Sequence, residues 1–211
     1  MRRKLCAALA ITLLLIVCGC GGGGSPPAPV FFTTQIVSSH ANDGDIELDS
    51  GGVFHVSQGG LPSVFAGIDD ITGSEFRAFL DIPLTGAGGV PGSAIIDSAT
   101  LDIFIDSYQS TASSIPVRIE LVSFPPQTLL ASDYDRTLQP PLASISTFIL
   151  PGDVNHNVRI DVTSLMVQAQ RLGLPDFQVR ILEDLGPVTA GRFEIEEATA
   201  SRAPLLQVVY Q

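Results

Sequence analysis

The stretch from Glu75 to Asp106 constrains the fold more than any other part of this chain. In EFRAFLDI, Phe76, Ala78, Leu80 and Ile82 alternate with Glu75, Arg77, Phe79 and Asp81. In TLDIFID, Leu101, Ile103 and Ile105 alternate with Thr100, Asp102, Phe104 and Asp106. Successive side chains of a strand point to opposite faces, so a period of two assigns one set to a core and the other to solvent. Between the two runs lies TGAGGVPGS, which is loop chemistry. A helix cannot carry this pattern, so the chain is committed here to half-buried strands.

The same signal recurs along the chain. Short strands are expected at 31–39, 45–48, 53–57 and 63–67, then in the two central runs, and again at 115–124, 144–150, 157–162, 176–183, 191–196 and 205–210. Gly, Pro and Asp clusters separate them. Pro125-Pro126 stops one run, because proline removes a ladder donor. One helix is predicted over 164–172, capped by Thr163 or Asp161 and stopped by Gly173. Residues 125–142 read as irregular, with Asp133, Tyr134, Asp135 and Arg136 exposed. Many short alternating strands with almost no helix define an all-β, antiparallel β-sandwich. The outward arginines Arg77, Arg118, Arg159, Arg180 and Arg192 lie near Asp81, Glu120, Asp161, Glu183 and Glu194. They read as cross-strand ion pairs that mark register and keep the surface soluble.

The first residues read as an export signal. Arg2, Arg3 and Lys4 precede an apolar run from Leu5 to Val17, shorter than the roughly 20 residues a membrane span needs. Val17-Cys18-Gly19-Cys20 then resembles the bacterial lipobox, which implies acylation of Cys20. The expected organisation is a signal peptide at 1–19, a lipidated cysteine with a Gly/Pro linker at 20–34, and a β-sandwich domain at 35–211. The resemblance implies a cell-envelope location, anchored through lipid, with Gly21 fitting an outer-membrane destination in a Gram-negative cell. All three cysteines, Cys6, Cys18 and Cys20, lie in this segment. The body therefore has no disulfide, zinc-thiolate site or cysteine nucleophile.

Loss of Arg2, Arg3 and Lys4 leaves eight arginines against 22 acidic residues, a net charge of −14. Such a field repels nucleic acid, which is rejected as a partner. The expected partners are the membrane, through the lipid anchor, and polysaccharide or envelope proteins.

Four segments in order carry a family resemblance: RAFLDIPL at 77–84, AIIDSATL at 94–101, IDVTSL at 160–165 and RAPLL at 202–206 before a terminal strand. Together they resemble the DNRLRE, or disaggregatase-related, domain, also described as a family 96 carbohydrate-binding module. The resemblance spans residues 35–211. It implies a jelly-roll β-sandwich on exported proteins and, in some members, polysaccharide binding. The chain has no tryptophan, the residue such modules favour for stacking on sugar rings. Tyr108 and Tyr134 are the ligand-binding candidates that remain.

Other chemistry is thinly signalled. His40, His55 and His156 match no metal or nucleophile spacing, and neither HExxH nor GxSxG occurs. Asp69-Asp70, Glu183-Asp184 and Glu196-Glu197 are paired carboxylates, expected to be solvated turn charges. Asn42, Asp43, Asp45, Glu47 and Asp49 alternate oxygen donors beside glycines; Asp43, Asp45, Glu47 and Asp49 are candidate ligands of a structural calcium ion, against a plain acidic turn. No other cofactor is expected. The leading reading is a non-catalytic, lipid-anchored envelope protein presenting a sandwich to carbohydrate. The alternatives are a structural or assembly lipoprotein without a glycan ligand and, third, a hydrolase. A site is expected in the less regular segments 40–62 and 125–142.

Overall fold

The computed structural model describes residues 28–184, 186 and 188–211. The signal segment and Cys20 lie outside the described residues. The body is all-β and antiparallel, with a sandwich-like build. Its twelve strands are β1 (Phe32–Val37), β2 (Gly44–Leu48), β3 (Phe54–Gln58), β4 (Ser63–Ile68), β5 (Glu75–Pro83), β6 (Ile96–Gln109), β7 (Ile115–Val122), β8 (Ala143–Ile149), β9 (His156–Asp161), β10 (Asp176–Glu183), β11 (Gly191–Glu196) and β12 (Leu205–Tyr210). Two short helices accompany them, α1 (Ala131–Tyr134) and α2 (Thr163–Arg171). The strand bounds lie within a few residues of those expected. The single turn α1 has no counterpart in the sequence reading.

All twelve strands join one hydrogen-bonded network. Its two wings meet at a narrow seam, where β4 pairs β5 only at Gly67–Phe76 and Ile68–Glu75. One wing runs β3-β2-β5-β10-β7-β8. The other is centred on β6. Residues 100–102 pair both β12 and β9, and Ile105 pairs both β11 and β9. So β9 lies along one edge of β6 while β11 and β12 follow each other along the opposite edge. Beyond β12 lies β1, and β11 connects back through β4 to the seam.

The alternation that defines the strands also defines the core. Ala78, Leu80 and Ile82 of β5 meet Leu101, Ile103 and Ile105 of β6, Val117, Ile119 and Leu121 of β7, and Phe177, Val179 and Ile181 of β10. Leu165, Met166 and Ala169 of α2 close one end of this cluster. Val162, not Thr163 or Asp161, is the N-cap of that helix, and no side chain caps it; Asp161, one residue earlier, accepts through Oδ1 from the Thr163 amide at 2.9 Å and hydroxyl at 2.6 Å. Gly173, at φ +65°, ends it as expected.

The outer face of the β5-β10-β7 wing departs from the sequence reading. Its row of polar side chains is buried, with Arg77 7%, Asp81 2%, Glu120 0% and Arg180 0% exposed. The segment 123–142 lies across it. Phe124, Leu129 and Tyr134 pack on Ile46, Phe79 and Val122 in a second apolar cluster. Asp133 and Tyr134, expected at the surface, are therefore buried, whereas Asp135 and Arg136 are half-buried. Polar side chains fasten the cover. Gln178 Nε2 donates to Asp81 Oδ1 and the Phe124 carbonyl, and its Oε1 accepts from the Phe124 amide. Gln58 Nε2 donates to the carbonyls of Asn42 and Pro126, and its Oε1 accepts from the Leu129 amide.

The arginines are paired, but mostly with other partners than their sequence neighbours. Arg180 meets Glu120 directly across the β10–β7 ladder, at 2.6 Å. Arg159 pairs with Asp102, Arg118 with Asp184, Arg192 with Asp69 and Arg77 with Glu75. The paired carboxylates are not simply solvated either. Asp69, Glu183, Asp184 and Glu197 are all buried, and only Asp70 of those pairs is exposed.

Candidate functional site

Where the cover segment meets β3 and β5, a cleft of about 360 Å³ opens, lined by Phe54, Arg77, Tyr134, Asp135 and Arg136. It brings together the two irregular segments, 40–62 and 125–142. The Phe54 ring meets the Tyr134 ring edge-on at 5.1 Å. The Arg77 guanidinium lies 3.7 Å from the centre of the Tyr134 ring. Such a stack is favourable because the ring face is electron-rich. Arg77 is held in place by Glu75, at 2.6 Å from Nη2 and 2.8 Å from Nε, and by the Tyr134 carbonyl. Arg136 is held by Glu120, with both Nε and Nη2 at 2.7 Å from Oε1. Asp135 Oδ1 accepts from the Thr137 hydroxyl and amide at 2.7 Å each, and these bonds hold its carboxyl below the usual range.

The cleft thus offers an aromatic edge, two oriented guanidinium groups and one ionised carboxylate. Phe54 is 40% exposed and is the aromatic surface a ligand can reach. That donor and acceptor set suits a neutral polyhydroxylated ligand, with apolar contact on one side and polar groups on the other. The volume lies within the range of small-molecule sites, roughly 300–1,000 Å³.

Tyr134 lines this cleft but is no open stacking platform. It is 6% exposed, and its hydroxyl is buried without a hydrogen-bond partner. Burial raises the phenol's pKa, with Glu75 and Glu183 adding to the rise and Arg77 opposing it. Tyr108 lies elsewhere, half-buried against the main core, with its hydroxyl donating to the Ala112 carbonyl at 2.9 Å. The two tyrosines are therefore not brought together.

The four candidate calcium ligands are engaged separately. Asp43 points inward, and its Oδ1 accepts from the Asp81 amide at 2.6 Å. Asp45 Oδ2 accepts from the Phe65 amide at 3.0 Å. Burial raises the Asp45 pKa to about 6. Glu47 lines a second cleft with His55, Ser57 and Phe65. Asp49 Oδ1 closes the turn before β3 by accepting from the amides of Gly51 and Val53. Its Oδ2 lies 3.1 Å from His55 Nε2. Spacing by two sends Asp45 and Glu47 to the same side of β2, where both line that second cleft, but backbone amides take the carboxylates of Asp43, Asp45 and Asp49 one by one. Among the described residues, no three His, Cys, Asp or Glu side chains converge as metal ligands.

The sequence reading missed Phe54, Arg136 and Glu120 as a connected group. Phe54 carried a usable signal, since it sits in VFHVS beside glycine-rich turns, where an apolar side chain has little core to enter.

Fold and cleft together define a class, an antiparallel all-β protein of sandwich-like build with a small mixed polar and aromatic cleft. No family model matches the chain, and no curated protein is significantly similar to it.

Proposed function

We propose that this is a non-catalytic, lipid-anchored envelope protein whose β-sandwich binds carbohydrate in the cleft between β3 and the 123–142 cover. The cleft carries the reading. It combines an exposed Phe54 with Arg77, Asp135 and Arg136, all held by internal bonds before any ligand arrives. Preorganised polar groups lose little freedom on binding, so a shallow site can still be selective. The lipobox-like Cys20 and the Gly/Pro linker at 20–34 support tethering, and the DNRLRE resemblance supports a glycan ligand.

The test is retention of the full chain, in detergent, on gels cast with envelope and extracellular polysaccharides. Retention lost on Phe54→Ala and Arg136→Ala supports the reading. Retention by no polysaccharide, or retention unchanged in both variants, refutes it. For the anchor, Cys20→Ala should release the protein from the membrane fraction; unchanged membrane association at normal processed size refutes lipidation.

A structural or assembly role without a glycan is the second reading. It is favoured by the inward packing of Tyr108 and Tyr134, and by exposed apolar side chains on β3 and β8, namely Val56, Phe54 and Phe148. Such side chains on outer strands suit protein contacts.

A further inference from the structure

Most buried carboxylates of the domain have a stated answer to their charge. Glu120 has Arg180 and Arg136. Asp81 has the side-chain amides of Asn42 and Gln178. Asp69 and Asp184 have Arg192 and Arg118. One pair has no cation. Asp43 and Glu197 are 2% and 3% exposed. Neither takes part in an ion pair among the described residues.

Apart from the Asp81 amide that donates to Asp43 Oδ1, the side chains that face the pair carry oxygen. Ser38, 8% exposed, and Glu197 both face the Asp43 carboxyl closely enough to perturb it. Yet Ser38 Oγ, Asp43 Oδ2, Glu197 Oε1 and Glu197 Oε2 all lack a partner of proper hydrogen-bond geometry. Asp81 adds further negative charge beside Asp43. Burial raises the pKa of both carboxyls; the Asp43 charge raises Glu197 further, whereas Glu197 and the Asp81 amide, by hydrogen bonding, hold Asp43 down. Two carboxylates withdrawn from water without a counter-charge cost several kcal/mol, so something must compensate them.

Three parts of the chain meet here. Ser38 and Asp43 flank the turn between β1 and β2, where the Ser39 carbonyl accepts from the amides of Asn42 and Asp43. Asp81 belongs to β5, and its carbonyl accepts from the Ser39 amide at 2.7 Å. Glu197 directly follows β11, with its amide donating to the Pro62 carbonyl at 3.0 Å. A group held between them fastens the start of the domain to its last loop.

We propose that Ser38, Asp43 and Glu197 hold one hard divalent cation of the calcium type. The donor chemistry is the reason: four oxygens, two carboxylates and no nitrogen or sulfur select calcium-like ions over zinc or copper. Glu197 supplies two oxygens, Asp43 and Ser38 one each, and backbone carbonyls or water complete the shell. This differs from the calcium loop expected at Asp43, Asp45, Glu47 and Asp49; only Asp43 is shared, and its main partner lies 154 positions along the chain, at Glu197. A shared proton between the two carboxyls is the competing answer.

The experiment uses the full chain in detergent, stripped with EDTA and dialysed at pH 7.5. Calcium chloride at 1 mM should raise the melting midpoint by several degrees, and calorimetric titration should show one bound equivalent. Glu197→Gln and Asp43→Asn should each weaken the calcium response at least tenfold in concentration. Asp43→Asn keeps an oxygen for the Asp81 amide, so it serves if Glu197→Gln fails to fold. Three results overturn the proposal: no binding and no midpoint shift with calcium, a shift matched by sodium chloride of equal ionic strength, or a calcium response unchanged in whichever variant folds. The first is what a shared proton alone produces.

Discussion

Arg180 is the side chain whose removal tests the buried polar face most directly. Its guanidinium is fully buried and contacts three groups. Nε and Nη2 reach Glu120 Oε2 at 3.0 and 2.6 Å; Nη1 reaches the Asp133 carbonyl at 2.5 Å, and Nη2 the Gln139 carbonyl at 3.0 Å. Arg180→Met keeps the apolar stem and deletes all of these. Glu120 then retains only Arg136, and two carbonyls of the cover lose their donor. Breaking one side of a buried pair costs about 3–5 kcal/mol, because an uncompensated charge stays inside. A domain of this size has a total stability of about 5–15 kcal/mol, so the variant should be close to the limit of folding. At about 2–4 °C per kcal/mol for such a length, the midpoint should fall by roughly 10 °C. The informative comparison is Arg180→Met with Glu120→Met, which removes the pair together. Replacing a whole buried pair with apolar groups is near neutral or stabilising, so the double variant should recover most of the loss. Urea titration of the three proteins is the assay. A single-variant cost below about 1 kcal/mol, or a double variant no better than the single, refutes the claim that Glu120 depends on Arg180 in a dry interface.

Further expectations follow the same physics. Gly67 sits at φ +105°, and an added Cβ would lie 2.2 Å from the Gly191 carbonyl oxygen, whereas Gly52, at φ +83°, has open space around it. Gly67→Ala should cost about 3 kcal/mol or more and Gly52→Ala about 1; equal melting midpoints would refute the close approach of β4 and β11. Burial, with a smaller contribution from Glu75, raises the Glu183 carboxyl from 4.5 to about 7, against the pull of Arg77. The folded state therefore keeps a proton that the unfolded chain has lost. Stability from this group is full below pH 4.5, falls as pH rises to about 7, and stays low above that, by at most about 3 kcal/mol. Glu183→Gln should stabilise the protein at pH 8 and converge with the parent near pH 4.5 in urea titrations; parallel pH profiles would refute the assignment. Asp161→Ala should cost about 1 kcal/mol by removing the two bonds that Thr163 makes to its carboxylate just before α2, and an unchanged midpoint would refute that contribution.

The sandwich was legible because its cause is local. The inward rows Ala78-Leu80-Ile82 and Phe177-Val179-Ile181 reach the core through strand alternation alone, and Gly173 states the end of α2. The outer face was not legible for the same reason. Alternation says that Arg77, Asp81, Glu120 and Arg180 point away from the core, and they do. It cannot say that another segment lies on top of them. The clue was present as an anomaly: Phe79 and Val122 share that outer row, and the cover brings Phe124, Leu129 and Tyr134. Two apolar residues on a nominally wet face, followed by an irregular segment with its own apolar residues, imply that the segment folds back.

The cleft and the proposed cation site have a deeper reason for escaping the sequence. Both are assembled from positions far apart in the chain: Phe54 with Tyr134 in one, Asp43 with Glu197 in the other. Nothing local distinguishes Glu197 from its neighbour Glu196. Yet Glu196 pairs with Arg202 and stays half-exposed, while Glu197 turns inward without a partner. The difference arises at the end of β11, where the strand's alternation sends one carboxylate out and the next in. A polar residue at an inward position beyond the last apolar one is costly unless it meets a counter-charge. The carboxyl it does meet, on Asp43, adds a second negative group unless a cation or a shared proton lies between them, and calcium titration separates the two.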